Sequence, residues 1–323
     1  DILYKAANNF DASGAWDRSI GAYQRALALQ PTQDFYALFL GRAYLEAARS
    51  VNDPSQRASL IAETEKTLLN AQRLNPLNTD HSANLARMHR IVAGLADNAA
   101  QRAEHSRKSS EYYEMATRLS PNTAFLRNEW SQTYFLIGDW ENARAQLEQS
   151  LNLDSQFAQT WLYLGEYYRA QRDTANAMEN YLKALTLDPA VLSDADGTLL
   201  QGPLALLAQP EFAPRAIEAY RTATKQYPTS LAARYALAEL YKRSGQLDRA
   251  RQELEQAVAI APNDFAAHLT LVNFLSETGQ IDAAVTAMSR VMELVSPARN
   301  TDYARFRDFY TQLQTLQQCA VGI

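Results

Sequence analysis

Glycine and proline are scarce in this 323-residue sequence: eleven of each, together about 7% against the roughly 12% of an average protein. Turn chemistry is therefore limited, which argues against sandwiches, barrels and doubly wound sheets. Cys319 is the single cysteine, so no intrachain disulfide can form and packing must hold the fold. No apolar run approaches the roughly 18 to 20 residues needed to span a bilayer, and no signal-peptide pattern stands at the front. Long runs of lysine or arginine are missing too. With 31 basic and 36 acidic residues the net charge is -5, and nucleic acid, which needs a concentrated basic face, is disfavoured as a partner. There is also no glycine-rich phosphate loop, no zinc-type cysteine spacing and no N-x-S/T sequon. What the chain has in excess is alanine, 54 residues of the strongest helix former, and this points to an all-α fold. Length alone suggests about two domains, but a repeat array escapes that rule because each unit buries itself on its neighbour.

Internal repetition is visible at the prolines. Pro31, Pro76, Pro121, Pro189, Pro228 and Pro262 close the phrases RALALQP, NAQRLNP, MATRLSP, KALTLDP, TATKQYP and AVAIAP, and two more phrases end at Ser155 and Ser296. Successive endpoints lie 45, 45, 34, 34, 39, 34 and 34 residues apart. A 34-residue period is that of a helix-turn-helix unit. In one such unit Trp161, Leu164, Gly165 and Tyr168 form W-x2-L-G-x2-Y on a first helix. Ala177, Tyr181, Ala184 and Pro189 form A-x3-Y-x2-A-x4-P on a second. Small residues at Gly165, Ala177 and Ala184 let the helices approach, the large ones fill the space around the contact, and proline ends the second helix.

The same slots recur at Leu237, Ala238, Tyr241, Gly245, Ala250, Leu254, Ala257 and Pro262, and at Trp130, Ser131, Tyr134, Gly138, Ala143 and Leu147. They recur again at Leu271, Val272, Leu275, Gly279, Ala284 and Met288, and in the first unit at Ala7, Phe10, Gly14, Ser19, Tyr23 and Ala26. On these residues the sequence resembles the tetratricopeptide repeat (TPR) family over nearly its whole length. The resemblance implies a right-handed α-solenoid of about eight units ending near residues 31, 76, 121, 155, 189, 228, 262 and 296. A terminal helix over 298–323 would follow, all within a single solenoid over 1–323.

Departures from the period locate irregularities. The second and third units each exceed 34 by 11 residues, close to three helical turns, so longer helices projecting as a ridge are expected around 46–64 and 91–110, the first pair turning at Asn52, Asp53 and Pro54. Residues 191–212 carry Gly197, Gly202, Pro203 and Pro210 where a first helix belongs, which predicts a shortened or broken helix. Pro214 suits the first turn of the next. In the tail, Tyr303, Phe306, Phe309, Tyr310, Leu313 and Leu316 fall at helical spacing and predict a helix that covers the last repeat.

No catalytic constellation emerges, and neither a cofactor nor a metal is expected. His81, His89 and His105 lie close in sequence, but His81 and His89 are eight residues apart on one helix, about 12 Å along its axis, and cannot share a coordination shell. His89 also holds the slot of Tyr134 and Tyr168, so packing is the expected role. Cys319 has no nearby histidine, and no carboxylate pair is favoured as an acid-base couple. The expected activity is binding of a protein or peptide. In the resembled family first helices line a concave groove, which maps here to Tyr4, Asn8, Phe35, Leu38, Arg42, Ala83, Arg87, Phe125, Asn128, Gln132, Leu162, Glu166, Arg169, Tyr235, Glu239 and Lys242. This lining of aromatic, amide and charged groups suits an extended peptide or a helix. Packing of Phe35, Phe125 and Tyr235 on neighbouring repeats is the alternative. The Lys and Asn clamp that some members close on a chaperone's terminal carboxylate is disfavoured, because Tyr4, Phe39 and Tyr163 stand where parts of it would lie.

Residues 33–48 (QDFYALFLGRAYLEAA) and 75–90 (NPLNTDHSANLARMHR) are similar to repeat tails that follow the membrane part of bacterial O-antigen ligase or polymerase-like proteins. That likeness implies a position outside the cytoplasm or at the cell surface, without glycosyl transfer. The opening at Asp1 without Met gives the matching expectation of a mature or excised piece. A structural subunit that grows head to tail into a filament is the second functional expectation, drawn from the aromatic terminal helix and the absence of a polar cap at the front.

Overall fold

The computed structural model describes residues 2–193, 199–295 and 303–321. Among these residues there are seventeen α-helices and no strand; Ser193 and Leu199 meet in an isolated antiparallel bridge. The architecture is an all-α solenoid whose helices pair as hairpins. By its contacts the chain divides into two compact units, Asp1–Thr160 and Trp161–Ile323.

The first unit contains α1 (Ile2–Ala12), α2 (Trp16–Leu29), α3 (Asp34–Ser50), α4 (Pro54–Leu74), α5 (Thr79–Leu95), α6 (Ala99–Leu119), α7 (Ala124–Ile137) and α8 (Trp140–Leu153). Helix α9 (Ala158–Ala170) carries the boundary. Consecutive helices pair as α1 with α2, α3 with α4, α5 with α6 and α7 with α8, and each hairpin seats on the next through contacts such as α2 with α3 and α4 with α5. The first helices also touch one another, α3 with α5 and α5 with α7, and they form the side on which the groove lies.

Helix ends follow local chemistry. Asp53, Asn78, Asn98 and Asp139 accept backbone N–H bonds as N-caps, and Pro54 occupies the first turn of α4, where its missing N–H costs nothing. The two long repeats have helices of 17 and 21 residues, against 13 or 14 in the regular ones, so the extra turns extend the hairpins as the period predicts. Both long hairpins close the same way. Arg57 donates to the Val51 carbonyl and Arg102, 45 residues on, to that of Ala96, each tying down the end of the preceding helix.

Five short turns share one geometry. Gly14, Gly138, Gly245 and Gly279 have φ between +67° and +75°, and Arg172 takes the same conformation at +61°. In each, this residue's N–H bonds the carbonyl three back and the next N–H bonds the carbonyl five back, closing the first helix with a left-handed cap. Glycine adopts it without a Cβ penalty; Arg172 does not.

The second unit contains α10 (Thr174–Leu187), α11 (Gln201–Leu207), α12 (Ala213–Gln226), α13 (Leu231–Arg243), α14 (Leu247–Ile260), α15 (Phe265–Glu277), α16 (Ile281–Leu294) and α17 (Tyr303–Val321). The irregular repeat is shortened as expected: α11 has seven residues, with Pro203 in its first turn and Pro214 in the first turn of α12. Gly197 lies outside the described residues. Close helix approach is clearest at Gly165, where an added Cβ would sit 2.4 Å from the ring of Tyr181. In the first unit the same relation joins Gly41 to Leu68, at 2.6 Å.

At the end of the second unit α17 packs on α16, and Phe306 meets Phe265 edge-on at 5.1 Å while Leu313 is buried. Leu316 departs from expectation, being 53% exposed. Counting from Phe306 and Leu313, the packing face continues at Gln317, one residue further round, and Gln317 accordingly bonds Asp282 at 3.0 Å. Residues 298–302 and 322–323 of the expected helix lie outside the described residues.

Candidate functional site

The first unit brings half of its expected binding residues into one groove of about 630 Å³, lined by Phe35, Phe39, Arg42, Asn84, Arg87 and Phe125 together with the acids Asp11, Glu46, Asp80 and Glu129. An aromatic cluster makes one wall. Tyr4 lies 5.5 Å from Phe35 and 5.3 Å from Phe39, edge-on to both. Asn8 Oδ1 lies 2.6 Å from the Tyr23 hydroxyl, which also reaches Asp11 Oδ2 at 2.7 Å, so Asn8 belongs to the packing behind that wall. Phe35 and Phe125 are 37% and 46% exposed and also touch the preceding repeat, Phe35 through Tyr4 and Phe125 through Arg87, so each ring both packs and faces solvent.

Two arginines hold equivalent positions in the long repeats. The Nε of Arg87 donates to both Glu129 oxygens at 2.8 Å, and its guanidinium lies 5.5 Å from the centre of the Phe125 ring. Burial works against the charged form of Arg87, but the Glu129 hydrogen bonds and charge outweigh it and raise the pKa above the usual arginine value. Arg42 is exposed, lies 5.3 Å from the centre of the Phe39 ring, and makes no ion pair among the described residues.

Four mapped groove residues are buried, Leu38 among them although it also borders the groove. Leu38 joins the core with Leu45, Leu68 and Leu85, Leu162 is 2% exposed, and Asn128 is 1% exposed with its Nδ2 donating to Thr160 Oγ1 at 2.9 Å. Ala83 is buried as well. All four occupy one repeat slot, and two of them meet the next repeat: Leu38 clusters with Leu85 and Asn128 bonds Thr160. Gln132 is half-buried and turns its amide to Ser131. The slot that does line the groove, and that sequence reasoning passed over, is the one held by Phe39, Asn84 and Glu129. Phe39 is one helical turn after Phe35, and that spacing was the available signal.

In the second unit the candidates are engaged with one another. Glu166 pairs with Arg169 at 2.5 Å and accepts the Tyr181 hydroxyl at 2.6 Å. Burial, then Glu166, raises the Tyr181 pKa far above the phenol value, so this hydroxyl is a fixed donor. Tyr235, Glu239 and Lys242 line a smaller pocket of about 190 Å³ with Asn273, Phe274 and Glu277. Lys242 reaches Glu277 at 2.5 Å. Burial pushes the Tyr235 phenol up to about 12.

The histidines are structural groups. His81 Nε2 meets Asp34 Oδ2 at 2.7 Å, linking α5 to α3. Burial alone would raise the Asp34 pKa, but the bonds from His81, Asn75 and Asn78 hold it below the usual carboxylate range. His89 Nδ1 lies 3.1 Å from His105 Nδ1, and His89 stacks on Tyr112. Among the described residues no three His, Cys, Asp or Glu side chains come together as metal ligands. Cys319 is exposed.

Family profiles described as tetratricopeptide repeat match residues 129–191, 213–266 and 244–304. These stretches carry tetratricopeptide repeats. Among solved structures, the chain is similar to a thermophilic TPR protein of Thermus thermophilus, at 20% identity over 60% of this chain and 92% of that one, with a TM-score of 0.47. It is also similar to MamA, at 16% identity over 57% of this chain and 94% of that one, TM-score 0.43. Yeast Tom70 matches at 12% identity over 98% of this chain and 89% of that one, TM-score 0.45. TPR proteins generally mediate protein–protein interaction or scaffolding. Among the described residues no helix is long and apolar enough to cross a membrane.

Proposed function

We propose that this chain is a non-catalytic scaffold that holds a segment of a partner protein in the groove of its first unit. The observation that carries the reading is the meeting of exposed Phe35 and Phe125 with Arg42 and the Arg87–Glu129 pair around one cavity of about 630 Å³. Aromatic faces supply contact area at little cost in side-chain entropy, and the charged groups fix the register of an extended chain. Panning a random dodecapeptide phage library on the immobilised protein tests this. Peptides selected on the native chain are expected to lose binding to the Phe35→Ser/Phe125→Ser variant, whose melting temperature stays within a few degrees because both rings are exposed. Retention of those peptides by the variant refutes the groove as the site.

The likeness of residues 33–48 and 75–90 to the repeat tails of O-antigen ligase-like proteins supports, within the same proposal, a position outside the cytoplasm; protease accessibility in intact cells checks it. Leu316, an apolar side chain left exposed on α17, supports head-to-tail assembly as a second use. Monodisperse monomers in light scattering at high concentration rule that use out.

A further inference from the structure

The two long repeats are built on one plan, offset by 45 residues: Leu40 matches Leu85, Arg42 matches Arg87, Arg57 matches Arg102 and Pro76 matches Pro121. Their arginines nevertheless end in different company. Arg87 finds the carboxylate of Glu129, presented by the first helix of the following repeat, and both carboxylate oxygens accept from its Nε at 2.8 Å. The residue 45 before Glu129 is Asn84, so the repeat following Arg42 offers an amide where a carboxylate would stand. Asn84 lines the same groove and spends its Nδ2 on the Asp80 carbonyl, 2.7 Å away, within its own helix. Arg42 is left exposed over the face of Phe39, with no carboxylate partner among the described residues.

Resting on the groove reading above, we infer that the vacant counterpart of the Glu129 position receives a glutamate side chain from the bound partner segment, paired to Arg42 and flanked by apolar residues on Phe35 and Phe39. A guanidinium suits this because it offers a planar fork of donors to a carboxylate while keeping its own face on an aromatic ring. The lining limits the charge the ligand carries. Asp11, Glu46 and Asp80 line the same cavity, besides Glu129 on Arg87, so a run of acids is repelled while a single glutamate on Arg42 among apolar residues is accepted.

The internal template supplies the test. Substituting Asn84→Glu places a carboxylate where Glu129 stands relative to Arg87, so the chain fills its own site. Dodecapeptides are selected from a random library on the native protein, and the tightest is synthesised in its selected form and with its glutamate changed to glutamine. The expected results are enrichment of isolated glutamates in the selected pool, about tenfold weaker binding of the glutamine peptide to the native protein, and about tenfold weaker binding of the glutamate peptide to Asn84→Glu and to Arg42→Gln. Asn84→Glu should melt no lower than the native chain, which separates a filled site from a damaged one. A pool without acidic preference, or equal binding of the two peptides, overturns the inference while leaving the groove reading intact. Failure of the groove reading shows differently, as peptides indifferent to Phe35→Ser/Phe125→Ser.

Discussion

The buried histidine of the third repeat makes the stability of the first unit acid-sensitive over a defined range. His89 is 1% exposed, and burial, followed by the charges of His105 and Lys108, pushes its pKa from 6.5 down to about 3; Glu104 pulls weakly the other way. Burial and Lys108 likewise lower that of His105. Glu65 does not rescue the charged form, because its carboxylate is 3.7 Å from His89 Nε2 and shares that oxygen with Lys108 at 3.8 Å. Since the folded chain resists a proton that the unfolded chain accepts, the contribution is fully present above pH 6.5 and is lost as pH falls from 6.5 towards 3. At pH 5 the unfolded imidazole has gained its proton over about 1.5 units of pH, which at 1.36 kcal/mol per unit costs about 2 kcal/mol. Urea unfolding at pH 7.5 and pH 5.0, followed by tryptophan fluorescence, gives the loss for the native chain and for His89→Leu, whose side chain does not titrate. The native chain should lose about 2 kcal/mol more than the variant between the two pH values, whatever the variant's starting stability. Equal losses would show that His89 takes up its proton in place, and the argument from burial would fail.

Two further predictions concern backbone and packing. Arg172 holds a left-handed conformation that the other four turns give to glycine, so Arg172→Gly relieves about 1 kcal/mol of steric cost. Roughly half of that is returned through the greater freedom of the unfolded chain, and a net rise of about 0.5 kcal/mol is expected in urea midpoints. Gly245→Ala should fall by about 1 kcal/mol in the same assay, and a loss in Arg172→Gly would contradict the account. Gly165→Ala puts a methyl 2.4 Å from a buried tyrosine ring that its bond to Glu166 holds still, so overpacking outweighs the gain in helix propensity and stability drops by about 1–2 kcal/mol. Gly21→Ala, with no atom within 4 Å of the new methyl, should instead gain up to about 1 kcal/mol, and thermal melts that place both variants on the same side of the native chain would refute the contrast.

What was legible in the sequence follows from which contacts are local. Gly138, Gly245 and Gly279 announce their turns because only the residue itself decides whether a positive φ is cheap, and the 45-residue spacings announce longer hairpins because whole turns preserve the buried face. The groove was less legible. Leu38 and Asn128 are buried one turn after the exposed Phe35 and Phe125, and a helix tilt of a fraction of a turn decides whether that slot faces a partner or the next repeat. Spacing along a single helix cannot fix that tilt. Some of the hidden contacts had a signal nonetheless, since residues across a hairpin lie at nearly equal distances from its turn. His89 and His105 stand eight residues either side of Asp97, and Gly165 and Tyr181 eight either side of Asp173. Read along the chain, the histidines are merely near one another; folded about the turn, they must meet. Arg42 and Asn84 belong to neither class. Their meaning comes from comparing two copies of one repeat and finding one arginine with its acid and the other with an amide, a difference that no periodicity detects and that places the first unit's open charge beside its open aromatic wall.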